Sequence, residues 1–392
     1  MSRLNTALAT AAAATLLTAG AALAQQPLKI GLIMPFSGQF ADTAVQMENG
    51  IKTYVAQHGD TIAGRKIEFL RRDTGGVAPD VARRLAQELV VRDNVDILAG
   101  FVLTPNTMAA ATVSAEAKKF MVVMNAATSV VITRSPYMVR TSLTLPQVSE
   151  AFGAWAAKSG VKKIYSMVSD FAPGHDSEQA FWRAFKAGGG EIIGSVRFPV
   201  GNPDFSAYVQ RAKDLNPEAI YIWVPAGAQP AAFGKAFNDR GIDPKVTKIL
   251  GSGETTSEEA LKSMGDVSLG IITGWNYDHN QDSALNRAFV KRNLDLNKRN
   301  PDFMTVGGYD GMHVIYEALK KTAGKTDAEA LIAAAKGMKW ESPRGPVSID
   351  PETRDIIQNV YIRRVEKTKD GPRNVVVDTV ANVKDPTVHA KK

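Results

Sequence analysis

The chain has 392 residues, 47 Lys and Arg against 40 Asp and Glu, a formal net charge of +7 and no cysteine. The missing thiols exclude disulfides, thiolate metal sites and a cysteine nucleophile, so the fold must be held by its own core. Basic residues are spread along the chain and interrupted by acids, even around Arg363, Arg364 and Lys367; that pattern describes a solvated surface rather than a nucleic-acid footprint.

Residues 1–24 read as a Sec-type signal peptide. Arg3 is their one charge, residues 6–23 form an uncharged Ala/Leu/Thr stretch, and Ala22-Leu23-Ala24 gives a small-x-small cleavage site. The stretch is short and diluted by Thr10, Thr15 and Thr18, which argues against a membrane span. Cleavage leaves 368 residues, enough for about two domains, and an exported, soluble protein is expected.

A first strand is expected over Leu28–Met34, followed by a helix with Met47, Ile51 and Val55 four apart on one face. Further strands are expected at 66–70, 95–100 and 119–124. Between them a helix is striped by Ala82, Leu85 and Leu89, and another opens at Thr104-Pro105. The pattern then restarts with a helix at 148–157, a strand at 163–168 and a helix at 179–186 stopped by Gly188-Gly189-Gly190. Strands at 191–196, 219–224, 247–250 and 270–274 follow, with helices at 205–214 and 229–240 between them. A helical block at 284–296, 303–322 and 326–337 precedes a tail with strands at 346–349 and 359–365, joined through Asp350-Pro351. Apolar runs alternating with amphipathic helices describe βαβ units on parallel sheets, here as two successive α/β sets.

Enzyme signatures are scarce. G-x-G-x-x-G, the P-loop, H-E-x-x-H and G-x-S-x-G do not occur. Ser159-Gly160-Val161-Lys162 matches S-x-x-K but falls in a helix-to-strand turn, where such residues are ordinary. His58, His175, His279, His313 and His389 lack metal-ligand spacing. His175-Asp176 reads as a turn before a helix with Asp176 near its N-cap, and Asp278-His279 as a polar loop. Neither a metal nor a cofactor is expected.

In open α/β sheets, ligands bind beyond the carboxyl ends of the strands. The third strand runs into Gly100-Phe101-Val102-Leu103-Thr104-Pro105. Thr104 suits an N-cap and Pro105 a first helical turn; the free N–H groups there favour a carboxylate, although capping alone explains the same residues. The fourth strand runs into Asn125-Ala126-Ala127-Thr128-Ser129, small residues and hydroxyls that suit either a close-approaching ligand or a polar turn. In the second set, strand ends lead into Asp170-Phe171, Pro225-Ala226-Gly227 and Gly251-Ser252-Gly253-Glu254. Phe171 and Trp223 are equally compatible with a core, and Glu254 with an exposed first-turn acid.

Lys29-Ile-Gly-Leu-Ile-Met-Pro-Phe-Ser-Gly38, Glu48-Asn-Gly-Ile51, Asp96-Ile-Leu-Ala-Gly100, Asn125-Ala-Ala-Thr128 and Val306-Gly-Gly-Tyr-Asp310 resemble, in order and spacing, the branched-chain amino-acid (leucine/isoleucine/valine) binding proteins of ABC importers. The resemblance covers about residues 28–365. It implies an α/β type I periplasmic-binding fold: two Rossmann-like lobes joined by three hinge crossovers, near 141–144, 275–276 and 342–345. Lobe one would be 27–143 plus 275–343, and lobe two 144–274 plus 344–385.

By that resemblance Thr104 matches the hydroxyl that holds the ligand carboxylate, Ala126 and Thr128 match the contacts after strand four, and Glu254 matches the acid that takes an ammonium. The family's aromatics are replaced by Thr43, Pro173 and small residues around Ala226, which leaves room for a flatter or larger group. Asp170-Phe-Ala-Pro-Gly-His-Asp176 and Gly307-Gly-Tyr-Asp-Gly-Met312 are similar to a subgroup linked to aromatic carboxylates such as benzoates. Phe101, Phe171 and Tyr277, near strand ends, are expected to supply ring walls.

The implied protein is a periplasmic, monomeric, non-enzymatic binding protein. It takes a small carboxylate, preferably an aromatic acid, by hinge closure and delivers it to a membrane ABC permease. A branched-chain or other amino acid is the alternative ligand. An exported hydrolase would need a nucleophile–base pair, and a ligand-sensing domain would need a membrane or DNA-binding segment.

Overall fold

The computed structural model describes residues 26–387 apart from Asn202 and Lys245; the signal-peptide reading of residues 1–24 lies outside them. The first unit is built on strands β1 (Leu28–Met34), β2 (Thr61–Ile62), β3 (Arg65–Asp73), β4 (Ile97–Gly100), β5 (Phe120–Val123) and β6 (Met138–Arg140). Their order is β2-β3-β1-β4-β5-β6, with parallel pairing everywhere except β2–β3. Helices α1 (Ala41–His58), α2 (Pro79–Gln87) and α3 (Thr104–Glu116) connect the strands. Helices on both faces explain why these strands are near-continuous apolar runs. Along them the two faces alternate: Leu32, Ala99 and Val122 join one buried cluster, Ile33, Leu98 and Met121 another.

The second unit begins at α4 (Leu145–Lys158), started by a capping box in which the Thr144 hydroxyl accepts from Gln147 N. It continues through β7 (Lys163–Ser169), α5 (Ala172–Ala187), β8 (Glu191–Phe198), α6 (Ser206–Asp214), β9 (Ala219–Trp223), α7 (Gln229–Asp239), β10 (Lys248–Ser252), α8 (Glu258–Met264) and β11 (Ile272–Trp275). The chain then returns to the first unit with α9 (Ala284–Asn297), α10 (Phe303–Lys321) and α11 (Ala328–Ala335). It finishes with β12 (Lys339–Ser342), β13 (Gly345–Ile349), β14 (Ile356–Thr368) and β15 (Gly371–Val383). The second sheet runs β12-β13-β14-β11-β10-β9-β7-β8, with β15 on β14.

Two motifs shared with the resembled family turn out to be packing motifs. Gly50 on α1 and Gly308 on α10 let the helices touch backbone to backbone. A Cβ at Gly50 would lie 1.8 Å from Thr305 O, and one at Gly308 2.1 Å from Met47 O; both are closer than any carbon can approach an oxygen.

The three passages between the units converge on one carbonyl. Ser142 O, just after β6, accepts from Asn276 Nδ2 after β11 at 3.3 Å, from Arg344 at 2.6 Å and from Gln358 Nε2 at 2.9 Å. Arg344 sits at the tip of the β12–β13 hairpin, where Ser342 pairs with Gly345, so the expected crossover at 342–345 is a tight turn. Its buried guanidinium also bonds Thr141 O and pairs with Asp310 at 2.8 Å.

Candidate ligand-binding cleft

Strand ends of the two units face each other across a narrow cleft of about 400 Å³, its open mouth included. Val102, Leu103, Thr104, Asn125 and Ala127 line it from the first unit, and Phe171, Pro173, Trp223, Ala226 and Glu254 from the second.

On the first wall, β4 ends at Gly100, whose φ of +100° and 2.8 Å distance from a would-be Cβ to Met34 Cγ leave room only for glycine. The chain then turns through Phe101 at φ +67°. The Phe101 ring is buried with Ile33, Leu98 and Met121 on the far side of the sheet, so the expected ring wall at Phe101 is not formed. Thr104 is the first residue of α3 rather than its cap. Leu103 occupies the cap position, without a side-chain cap. The Thr104 hydroxyl instead shares a 3.0 Å hydrogen bond with Thr128 Oγ1, both residues being only 2 % exposed. Each hydroxyl carries one proton, and their mutual bond uses one of the two. Thr104 is among the residues that line the cleft and Thr128 is not; with Thr128 donating to Thr104, the Thr104 proton is left to be offered outward, beside the first-turn N–H groups that helix geometry leaves unpaired.

The loop after β5 is held by a residue that sequence reasoning missed. Arg140 donates to Ala126 O and Thr128 O, both at 2.8 Å, and pairs with Asp355 at 2.6 Å. Ala126 spends its carbonyl on Arg140 and its N–H on Phe101 O, and its methyl lies in the far cluster. Ala127, one residue on, faces the cleft in its place.

On the second wall, Phe171 and Trp223 stand 5.4 Å apart between ring centroids at 50°, giving a broad aromatic surface. Trp223 therefore belongs to the wall as well as to the core. Pro173 lies in the first turn of α5, and Ala226 lies beyond β9. Tyr277 does not reach the cleft; its hydroxyl donates to Asn286 Oδ1 at 2.9 Å and its ring packs edge-on against Phe289.

Glu254 projects from a short 3-10 turn after β10 and is 8 % exposed. Its Oε2, the Trp223 indole Nε1 and the Ser252 hydroxyl are buried without a hydrogen-bond partner. Burial pushes the Glu254 pKa up to about 8, against the opposing pull of the nearby Trp223 indole and Ser252 hydroxyl.

The two walls touch at the rim. Asp176 lies in the second turn of α5, not at its cap, and accepts from Ser129 N at 3.1 Å. Burial raises the Asp176 pKa. The Ser129 hydroxyl bonds Asp385, Glu258 N donates to Asp302 at 3.0 Å, and Arg299 pairs with Glu259 at 3.6 Å. The molecule is therefore in a closed form. Among the described residues no histidine lines the cleft and no group of His, Asp or Glu is placed to hold a metal ion. No helix among them is long and apolar enough to cross a membrane.

Residues 27–372 match the model of a family described as periplasmic binding protein. The chain belongs to this family. Over 385 residues it is 42 % identical to Leu/Ile/Val-binding protein homolog 6 of Brucella melitensis biotype 1, covering 97 % of this chain and 98 % of that protein. A solute-binding protein of an ABC transporter from Rhodopseudomonas palustris BisB5, solved with 3,4-dihydroxybenzoic acid, is 49 % identical with a TM-score of 0.89. That match covers 92 % of this chain and 99 % of the other. A counterpart from R. palustris HaA2, solved with p-hydroxybenzoic acid, is 39 % identical with a TM-score of 0.90 over 93 % and 100 % of the chains. The two sheets joined by three passages are the two lobes of the type I periplasmic-binding fold, as the sequence resemblance implied.

Proposed function

We propose that the chain is the exported substrate-binding protein of an ABC importer and that it closes on one small aromatic carboxylate. The observation that carries this reading is the pairing, in one closed cleft, of an anion pole with an aromatic wall. The anion pole is the Thr104–Thr128 hydroxyl pair at the start of α3; the wall is Phe171 with Trp223. A benzoate satisfies both at once: its carboxylate takes the outward hydroxyl proton and the helix N–H groups, and its ring lies on the wall. The relatives solved with hydroxylated benzoic acids support the ligand class.

In this reading lobe one is 27–143 plus 275–343 and lobe two is 144–274 plus 344–385. Residues 1–24 direct export, the periplasmic protein works as a monomer without a cofactor, and its closed form docks on the permease. Binding, not catalysis, is the task in this reading, as it is for the solute-binding relatives. A branched-chain or other amino acid is the second reading; Glu254 favours it as an acid facing the cleft, and so does the printed name of the Brucella relative.

A thermal-shift screen tests the class, because a ligand that binds only the folded state raises the melting temperature. Benzoates are expected to raise it and aliphatic amino acids to leave it unchanged. The reverse pattern would replace the first reading with the second.

A further inference from the structure

We infer that Glu254, with Trp223 and Ser252 beside it, forms a second polar pole in the cleft. It reads a hydroxyl on the ring, distal to the carboxylate, and so selects hydroxylated benzoates over benzoate itself. This rests on the reading of the cleft as an aromatic-carboxylate site and specifies which member of that class it takes.

Three buried polar atoms carry the argument: Glu254 Oε2, Trp223 Nε1 and Ser252 Oγ form no well-aligned hydrogen bond, although the indole and the hydroxyl lie near enough to Glu254 to draw its pKa down. Buried donors and acceptors are ordinarily paired, so a cluster left open beside a ligand cleft is completed by what binds there. Glu254 and Trp223 both line the cleft, on the lobe opposite Thr104. With its carboxylate on Thr104, a ring turns its other edge toward the opposite lobe, the wall that Glu254 and Trp223 line.

The chemistry of that edge follows from the state of the acid. Burial, reinforced by the nearby Asp302 charge, favours the protonated form of Glu254 at neutral pH. A carboxylic acid donates one hydrogen bond and accepts another, which matches a phenolic hydroxyl that does the same. The indole N–H adds a donor and Ser252 a hydroxyl free to turn either way. An ammonium would need the ionised acid, so its entry would have to drive out the Glu254 proton. Benzoate would leave these groups buried with only poorly aligned contacts to one another, and a site built to bond a hydroxyl rejects the analogue lacking it.

Titration calorimetry of wild type, Glu254→Gln, Glu254→Leu and Ser252→Ala with benzoate and 4-hydroxybenzoate tests this. Wild type is expected to prefer 4-hydroxybenzoate by about tenfold or more, the worth of one or two hydrogen bonds. Glu254→Gln, whose amide still donates and accepts, is expected to keep most of that preference. Ser252→Ala should reduce it, and Glu254→Leu should abolish it. The readout is the ratio of two affinities, so a variant that folds or closes poorly lowers both and leaves the ratio interpretable. Repeating the wild-type titration in buffers of different ionisation heat should show no net proton release with 4-hydroxybenzoate. Equal wild-type affinities, an undiminished preference in Glu254→Leu, or release of a proton would overturn the inference while leaving an aromatic-carboxylate site standing. Heat from neither benzoate would instead overturn the reading on which the inference rests.

Discussion

Thr128 and Glu254 act at the scale of single residues, and each makes a checkable statement. Thr128→Ala removes the partner that leaves the Thr104 proton free for a charged ligand group, and so weakens the hydrogen bond Thr104 makes to it. The expected loss is about 1.5–3 kcal/mol, or roughly 10- to 150-fold in affinity, measured by calorimetry on correctly folded protein. Wild-type affinity would remove Thr128 from the site. Glu254 predicts a pH effect on stability. Its folded pKa of about 8 stands above the ordinary 4.5. Between those values the folded protein holds a proton that the unfolded chain has released, so stability falls as pH rises, by about 1.4 kcal/mol per unit for this one group. Urea unfolding of Glu254→Gln should show its stability gaining on wild type between about pH 5 and pH 8; parallel profiles would contradict a buried neutral acid. Strand-end composition pointed to the loops carrying Thr104, Thr128, Phe171 and Glu254. It did not resolve which residues face inward. Ala127 replaces Ala126 because Arg140 and Phe101 occupy the backbone of Ala126. Phe101 and Tyr277 are turned away by a left-handed backbone angle and by Asn286. Nothing local marks such offsets.

At the scale of elements, Arg140 holds the 126–129 loop to β14 through Asp355. Arg140→Met would leave a buried carboxylate uncompensated and take from the Ala126, Thr128 and Ser129 carbonyls the donor they share, and should cost about 3–5 kcal/mol in chemical denaturation. A cost below about 1 kcal/mol would show that the loop holds its own shape. The contact spans 215 positions in sequence, which is why the sequence reading passed over Arg140. The parallel strands were legible because burial on both faces makes them apolar runs. Others were not: β6 has three residues, and β15 mixes buried and exposed positions without the expected alternation. Its place comes from pairing with β14, where two register shifts bend the ladder. The helix contact of α1 and α10 was visible only as glycines. Gly308→Ala is expected to push the helices apart, at a cost of about 1–3 kcal/mol in the same measurement.

For the whole molecule, closure follows from how the lobes are joined. The passages meet at Ser142 O, and the rim is fastened by Asp176, Asp385 and Asp302. A joint gathered at one point permits a rigid-body hinge, and ligand supplies the differential affinity that favours the closed state. The two-lobe design was legible from the repeated strand–helix alternation together with the family resemblance. Ser142, Asn276 and Arg344 fall within the crossovers the resemblance implied, but their meeting at one carbonyl was not legible, since it depends on Arg344 and Gln358 returning from far along the chain. Small-angle scattering should show a smaller radius of gyration with saturating 4-hydroxybenzoate than without it, and no compaction would contradict hinge closure in solution. The central claim is that one cleft joins an anion pole to an aromatic wall and so takes an aromatic carboxylate. Its most direct test is titration calorimetry of the mature protein with 4-hydroxybenzoate and with leucine. Saturable binding of 4-hydroxybenzoate with one site per chain and no heat from leucine is expected; saturable leucine binding without heat from 4-hydroxybenzoate would contradict an aromatic-carboxylate site.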